Sequence, residues 1–231
     1  PGEGSGDRVF ELDVTHVIPP RPPPTDTEWV KHATIESRRL TDFWGRPIHV
    51  HATVLLPKGY DEQPDRRYPC VYTMGHDVPF SFTTDPSRRG EPGKLNSVTG
   101  LESGFDFAES WRSDGFPRLI AISFEQQTPF FPDSYSVNSA NCGPYGDAMV
   151  EEVIPALEER FRIVRDPWAR HVEGASTGGW QTLALQLQHP DFFGGAWVLQ
   201  PDPIDFTRYV TTNIYEDTNA VVLPLGPFLN A

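Results

Sequence analysis

The stretch that most constrains this chain is residues 170–180 (RHVEGASTGGW), which contains Gly-x-Ser-x-Gly as Gly174, Ser176 and Gly178. A short extended run ends at Glu173, and a run of helical period follows the second glycine. A strand, this pattern and a helix together form a candidate nucleophile elbow, in which larger side chains at the glycines would clash with neighbouring elements. The alternative is a glycine-rich turn with a solvated serine, and the pentapeptide alone does not separate the two.

Charge and composition exclude several classes of protein. The 231 residues carry a net charge of −13, which argues against nucleic acid or an anionic membrane as the main partner. No run of about 18 apolar residues occurs, so no membrane span is predicted. The two cysteines, Cys70 and Cys142, make neither a disulfide framework nor a zinc site. We therefore expect two free thiols, with a disulfide between them as the unsupported alternative, and we expect no metal and no cofactor. The sequence does not determine the oligomeric state.

The first 28 residues differ from the rest in composition. They are polar and then proline-rich, with Pro19, Pro20, Pro22, Pro23 and Pro24 around one arginine, a pattern typical of extended polyproline geometry. We interpret residues 1–28 as a lead-in or linker, with one strand over residues 8–18, and residues 29–231 as one domain. The chain opens without methionine and without a signal peptide, as expected of a processed or trimmed chain.

The remaining pattern predicts an α/β fold. Two β-rich runs, residues 29–37 and 48–57, predict an antiparallel hairpin joined by a turn over residues 42–47. The apolar runs 68–74, 119–124 and 194–200 predict buried strands, and the runs 147–161 and 179–189 have helical period. The second helix is expected to bury one face, formed by Trp180, Leu183, Ala184 and Leu187. Alternating strands and helices predict a parallel sheet preceded by antiparallel strands.

Four chemically active side chains follow predicted strands directly. They are His76, Glu125, Ser176 and Asp202. Because loops that follow parallel strands collect at one edge of a sheet, we expect these residues to face one cleft.

Several motifs, in this order and spacing, carry a family resemblance. They are residues 54–61 (VLLPKGYD), 67–69 (RYP), 153–161 (VIPALEERF), 174–179 (GASTGG) and 189–193 (HPDFF). Over about residues 48–200 the chain resembles an esterase family of the α/β-hydrolase fold that includes esterase D, feruloyl esterases, siderophore trilactone esterases and mycolyltransferases. The resemblance implies a mostly parallel central sheet with helices on both faces.

The resemblance assigns roles at the elbow. Ser176 matches the nucleophile, and Thr177 matches the residue whose backbone N–H binds the oxyanion. The second oxyanion donor comes from the loop after Met74, near His76 or Asp77. The family has His-Gly there, whereas this chain has Gly75-His76. Glu173 also departs from the family, which has a small apolar residue at that position.

The catalytic acid and histidine are not evident in the sequence. The fold orders its triad as serine, acid, histidine, and the sole histidine after Ser176 is His189. His189 ends the helix that starts at the elbow, so a rise of about 1.5 Å per residue places it nearly 20 Å from Ser176. We expect the sheet to lack the two C-terminal strands on which the family carries its acid and histidine. Asp202 is a weaker candidate for the acid, against a structural Asp-Pro turn.

Residues 130–145 (FFPDSYSVNSANCGPY) form a candidate substrate loop above the elbow. Phe130, Phe131 and Tyr135 are suited to pack on an aromatic acyl group, and Asn138 and Asn141 to bind hydroxyls. His76 is also expected at this substrate site. The alternative is that these side chains only pack the loop.

The function predicted is a serine carboxylic-ester hydrolase that forms an acyl-enzyme on Ser176. Its substrate is expected to be a small soluble ester, either carbohydrate-linked or aromatic. Two alternatives stay open: a non-catalytic, hydrolase-like binding module, and an acyltransferase or serine peptidase of the same fold. The compartment is not determined, with a secreted or periplasmic location favoured.

Overall fold

The computed structural model describes residue 15 and residues 22–76, 80–90, 103–209 and 212–218. Within them the strands are β1 (Val30–Glu36), β2 (His49–Leu55), β3 (Cys70–Met74), β4 (Ile120–Glu125), β5 (Asn138–Ser139), β6 (Gly143–Pro144), β7 (Arg170–Ser176) and β8 (Gly195–Pro201). Six of them form a sheet in the order β1-β2-β4-β3-β7-β8, and β5 pairs with β6 in a separate ribbon. The strands β4, β3, β7 and β8 are parallel, and β1 and β2 are antiparallel, as predicted.

The helices pack on this sheet. They are α1 (Arg38–Trp44), α2 (Gly104–Arg112), α3 (Tyr145–Ala148), α4 (Ile154–Arg160) and α5 (Thr177–Gln188), with single 3₁₀ turns at Pro86–Arg88, Pro167–Ala169 and Phe206–Arg208. A π-helical turn, Met149–Val153, joins α3 to α4. Pro155 is the second residue of α4 and directly follows the π-helical turn, where the pattern of backbone hydrogen bonds changes and a residue without an N–H is accommodated.

The predicted antiparallel pairing of β1 and β2 is confirmed. The prediction that a simple turn joins them is wrong. The connection contains helix α1. The Ser37 hydroxyl accepts the backbone N–H of Leu40 at its start, and Gly45 ends it with φ of +65°. This pair of caps stabilises a short helix where the sequence pattern indicated only a turn.

Helices cover both faces of the sheet. Tyr72, Ile122 and Val172 belong to the larger core, together with the segment from α3 to α4 and Leu185 of α5. Leu55 and Ala121, which alternate with residues of that core along their strands, pack with Trp111 of α2. The predicted two-faced arrangement is therefore confirmed.

Two predictions about burial are wrong. Strand β8 was expected to be buried, but Trp197 is 71% exposed: it is in register with Glu173, on the face of the sheet opposite α5, and β8 is the edge strand of the described sheet. Helix α5 buries Gln181, Thr182 and Leu185 rather than the predicted apolar face, and its Leu187 is exposed. Glycines in its first turn determine which face of α5 contacts the sheet.

The proline-rich segment before β1 lies on the surface where the structure describes it. Residues 22–28 are exposed, and the strand predicted over residues 8–18 lies outside the described residues except for Thr15. Cys70 and Cys142 are free thiols, as predicted. Among the described residues, no helix is long and apolar enough to cross a membrane.

Candidate active site

Ser176 lies at a sharp turn between strand and helix. Strand β7 ends at this residue and α5 begins at the next. Its backbone has φ of +56° and ψ of −121°, a conformation that residues with a side chain rarely adopt. The strand before it and the helix after it hold this strained conformation. The turn has the geometry expected of a nucleophile elbow.

Two glycines permit the close packing of the elbow. A Cβ atom on Gly174 would overlap the backbone of Gly178, and one on Gly178 would overlap the carbonyl oxygen of Met74 in β3. The backbones of β3, β7 and α5 therefore meet without intervening side chains. This contact is the physical reason for the Gly-x-Ser-x-Gly pattern in this chain.

The Ser176 hydroxyl is exposed and binds a carboxylate. It donates to Oδ1 of Asp202 at 3.0 Å, and the hydroxyl of the buried Thr177 donates to Oδ2 at 2.6 Å. The backbone N–H of Asp202 in turn donates to the carbonyl of Ser176 at 3.1 Å. This contact differs from a catalytic triad, in which the acid binds a histidine rather than the serine.

Thr177 lies at the start of helix α5. It is the first residue of α5, so its backbone N–H is among those without an acceptor inside the helix. The amino terminus of a helix of this length also favours negative charge. Its predicted role at an oxyanion is therefore compatible with its position, whereas Asp77, the predicted second donor, lies outside the described residues.

His76 follows β3 and pairs with a buried aspartate. Its side chain is 61% exposed, and its Nδ1 lies 2.8 Å from Oδ2 of Asp133, whose side chain is 5% exposed. Asp133 also accepts the backbone N–H of Tyr135 at 2.6 Å and the Gln181 amide at 3.0 and 3.1 Å. Burial raises the pKa of the Asp133 carboxyl, and the hydrogen bonds and His76 act in the opposite direction.

A network of buried polar side chains extends from Asp133. Gln181 accepts the amide of Gln126 at 3.1 Å, and Gln126 accepts the hydroxyls of Ser134 and Ser136 at 3.1 and 2.7 Å. Sequence reasoning missed this network. The available signals were Gln181 inside a largely apolar helix and Gln126 directly after a buried strand.

The predicted substrate loop divides between two helices. Tyr135, at φ of +59°, packs its ring against Trp180 of α5 at 5.5 Å between centroids. Asn138 instead accepts the backbone N–H of Asp147 at 3.0 Å in α3, and Asn141 is exposed between β5 and β6. The structure thus brings Tyr135 to the elbow helix and Asn138 to α3, and their substrate roles stay predictions.

Phe130 and Phe131, at the start of this loop, are exposed, and Phe130 lies beside α1 rather than α5. Phe130 is exposed and its ring lies 5.6 Å from that of Trp44 in α1, and Phe131 is also exposed. Their predicted contact with an acyl group stays a prediction.

The carboxylate of Glu173, a residue unusual at this position, accepts a hydrogen bond from the neighbouring strand. Its half-buried carboxylate accepts the hydroxyl of Thr73 at 2.9 Å from the neighbouring strand β3. Side chains alternate along a strand, so Glu173 lies on the face opposite Gly174 and α5. It therefore does not interfere with the packing of the elbow.

Comparisons with known proteins agree with this architecture. Over 148 residues, 62% of this chain and 18% of the relative, the sequence is 24% identical to an endo-1,4-beta-xylanase/feruloyl esterase of Xylanibacter ruminicola. It is 26% identical over 152 residues to the uncharacterized protein YbbA of Bacillus subtilis, covering 62% of this chain and 52% of that protein. Among solved structures, a ferulic acid esterase superposes with a TM-score of 0.51 and 19% identity over 75% of this chain and 59% of its own. No family model matches the sequence.

The chain has the α/β-hydrolase fold. The predicted resemblance to esterases of this fold is confirmed, since the similar proteins include esterases by name. This α/β-hydrolase chain spans about half or less of the length of the curated relatives it matches.

Proposed function

We propose that this protein is a serine carboxylic-ester hydrolase that acts through an acyl-enzyme on Ser176. The observation that carries the proposal is the position of Ser176, exposed on a positive-φ turn at the amino terminus of a 12-residue helix. This position directs a hydroxyl toward solvent beside backbone N–H groups that stabilise negative charge.

The proposed reaction has two stages. Oγ of Ser176 attacks the ester carbonyl, and the backbone N–H of Thr177 donates to the oxyanion of the tetrahedral intermediate. The bond between the carbonyl carbon and the alcohol oxygen then breaks, this oxygen takes up the proton that Ser176 has lost, and the acyl-enzyme that remains is hydrolysed by water to the carboxylic acid and free Ser176. Asp202 orients the Ser176 hydroxyl before the attack through their 3.0 Å hydrogen bond. A histidine base completes this mechanism in other members of the fold.

The proposed substrate is a soluble ester with an aromatic acyl group or a carbohydrate alcohol. Two similar proteins are named for feruloyl or ferulic acid esterase activity. The rings of Tyr135 and Trp180 beside the elbow supply an apolar aromatic surface, on which an aryl acyl group is able to pack.

Hydrolysis by matched variants tests the proposal. In the full-length protein, Ser176→Ala is expected to lower turnover of p-nitrophenyl acetate and methyl ferulate by about 1,000-fold or more. Ser110→Ala, the same substitution at an exposed position of α2, is the control and is expected to retain wild-type turnover. Equal activity of the two variants would contradict the proposal.

A second candidate is a hydrolase-like module that binds a ligand without cleaving it. The observation that favours it is that Ser176 binds Asp202 directly, which occupies the serine hydroxyl with a carboxylate. This candidate predicts that the folded full-length protein binds methyl ferulate by calorimetry, yet neither hydrolyses it nor hydrolyses p-nitrophenyl acetate.

A further inference from the structure

The pair of His76 and Asp133 joins two loops at the edge of the sheet that carries Ser176. His76 follows β3 and Asp133 lies in the loop after β4, and both loops leave the carboxyl ends of parallel strands. The carboxylate is held by the backbone of Tyr135 and the amide of Gln181 in addition to His76. Side chains held by several bonds have a fixed orientation, which is what a catalytic group requires.

Packing places this pair next to the first turn of α5. Gly178 has no room for a side chain because its backbone contacts the end of β3, including the carbonyl of Met74 and Cα of Gly75. His76 is the next residue. Gln181, which binds Asp133, lies four residues after Thr177 and therefore on the same side of α5. The pair is thus attached to the side of the helix on which Thr177 lies.

The orientation of the imidazole leaves one nitrogen available. Nδ1 lies 2.8 Å from the buried Asp133, so Nε2, on the other side of the ring, is directed away from that carboxylate. The side chain is mostly exposed, so this nitrogen is accessible to a ligand in the cleft.

We propose that His76 is a further catalytic residue whose Nε2–H donates a hydrogen bond to the oxyanion beside the backbone N–H of Thr177. This inference rests on the proposed esterase function. In this fold the loop after β3 supplies the second oxyanion donor through its backbone, and here the side chain supplies it. Donation requires a proton on Nε2, which leaves two arrangements at Nδ1: in a neutral imidazole Nδ1 accepts a hydrogen bond from a protonated Asp133 carboxyl, and in an imidazolium Nδ1–H donates to the carboxylate. No covalent bond to His76 forms or breaks.

A role as the base for Ser176 is less compatible with the geometry. In the sheet, β7 lies between β3 and β8. The Ser176 hydroxyl donates to Asp202, which follows β8, whereas His76 follows β3. A general base must lie within hydrogen-bond reach of the proton that it removes. His76 therefore lies on the side opposite that of the Ser176 proton.

Three variants of His76 in the full-length protein test the proposal. The glutamine amide reproduces a donor near the position of Nε2, the asparagine amide reproduces one near Nδ1, and alanine has neither. We expect His76→Ala to lower kcat for p-nitrophenyl acetate by about 100-fold with little change in KM, as for loss of one oxyanion donor. His76→Gln is expected to recover about tenfold of that loss, and His76→Asn to resemble alanine. Thermal unfolding confirms that each variant is folded.

Each other outcome overturns the proposal in an identifiable way. If glutamine is as inactive as alanine and asparagine while Ser176→Ala is also inactive, His76 is a base and the esterase proposal stands. If asparagine rescues activity and glutamine does not, His76 only pairs with Asp133. If all three retain wild-type kcat while Ser176→Ala is inactive, His76 has no catalytic role. Full activity of Ser176→Ala overturns both the esterase proposal and this one.

Discussion

Two carboxylates lie on opposite sides of the elbow and differ in what surrounds them. Asp133, on the β3 side, is buried and accepts hydrogen bonds from Tyr135, Gln181 and His76. Asp202, on the β8 side, is half-buried and accepts the hydroxyls of Ser176 and Thr177. The buried group has no access to water if its partners are lost, whereas the half-buried group retains some. The comparison indicates that Asp133 stabilises the site and that Asp202 acts on the serine.

The largest expected loss of stability comes from a substitution that moves α5 away from β3. Gly178→Ala places a Cβ against the carbonyl of Met74, so α5 must move away from β3. We expect the free energy of unfolding to fall by about 3 kcal/mol or more, because backbone on both sides has little room to adjust. Denaturant unfolding measures this loss.

The matched control for this substitution is Gly115→Ala. The space around Gly115 is open, so the same added methyl meets no atom within 4 Å. We expect a change in unfolding free energy within about 0.5 kcal/mol. A similar loss at both glycines would show that close packing does not set the requirement at Gly178.

Removal of the two carboxylates, one at a time, is expected to destabilise the protein by different amounts. Asp133→Ala leaves the Gln181 amide and the backbone N–H of Tyr135 without their acceptor in a buried site, and we expect a loss of about 3 kcal/mol. Asp202→Ala leaves the hydroxyls of Ser176 and Thr177 without their acceptor; water is able to solvate the exposed one, and we expect a smaller loss, about 1 kcal/mol. Equal losses in chemical denaturation would contradict the distinction between the two residues.

A smaller effect is expected in the pH dependence of stability. Burial raises the pKa of Asp133 above its ordinary value of 3.8, so the folded protein keeps this proton at pH values where the unfolded chain has lost it. Stability from this group is therefore greatest at low pH and decreases as pH rises above 3.8. The unfolding free energies of wild type and Asp133→Asn are measured as pH falls toward 3.8. We expect the wild-type value to rise relative to that of Asp133→Asn.

The contribution of His76 to that pH dependence is separable. Repeating the comparison in the His76→Gln background removes the imidazole that faces Asp133, and the sign of the trend is expected to persist. A wild-type unfolding free energy that rises relative to that of Asp133→Asn as pH rises would contradict a raised pKa of Asp133.

The sequence predicted the parts of the fold that depend on local pattern. Apolar runs located β3 and β4, and the glycines around Ser176 located the elbow, since these features have a local physical requirement. The connection between β1 and β2 was missed because two caps, rather than a long periodic run, stabilise α1.

The rest of the site depends on tertiary contacts. The buried face of α5 follows from the backbone contacts of Gly178 and Gly179, so its polar Gln181 lies inside while Leu187 lies outside. Asp133 and Gln181 are 48 residues apart in sequence and meet only after the sheet forms. A local sequence pattern does not predict such a pairing, nor does it predict the contact of Ser176 with Asp202.

The most direct measurement is the mapping of a covalent adduct on the full-length protein. A fluorophosphonate reacts with an activated serine hydroxyl, which displaces fluoride and leaves a phosphonylated side chain. We expect one adduct by intact mass, located by peptide sequencing on Ser176 and absent from Ser176→Ala. An esterase that is active yet unlabelled, or labelled at another residue, would contradict the assignment of Ser176 as the nucleophile.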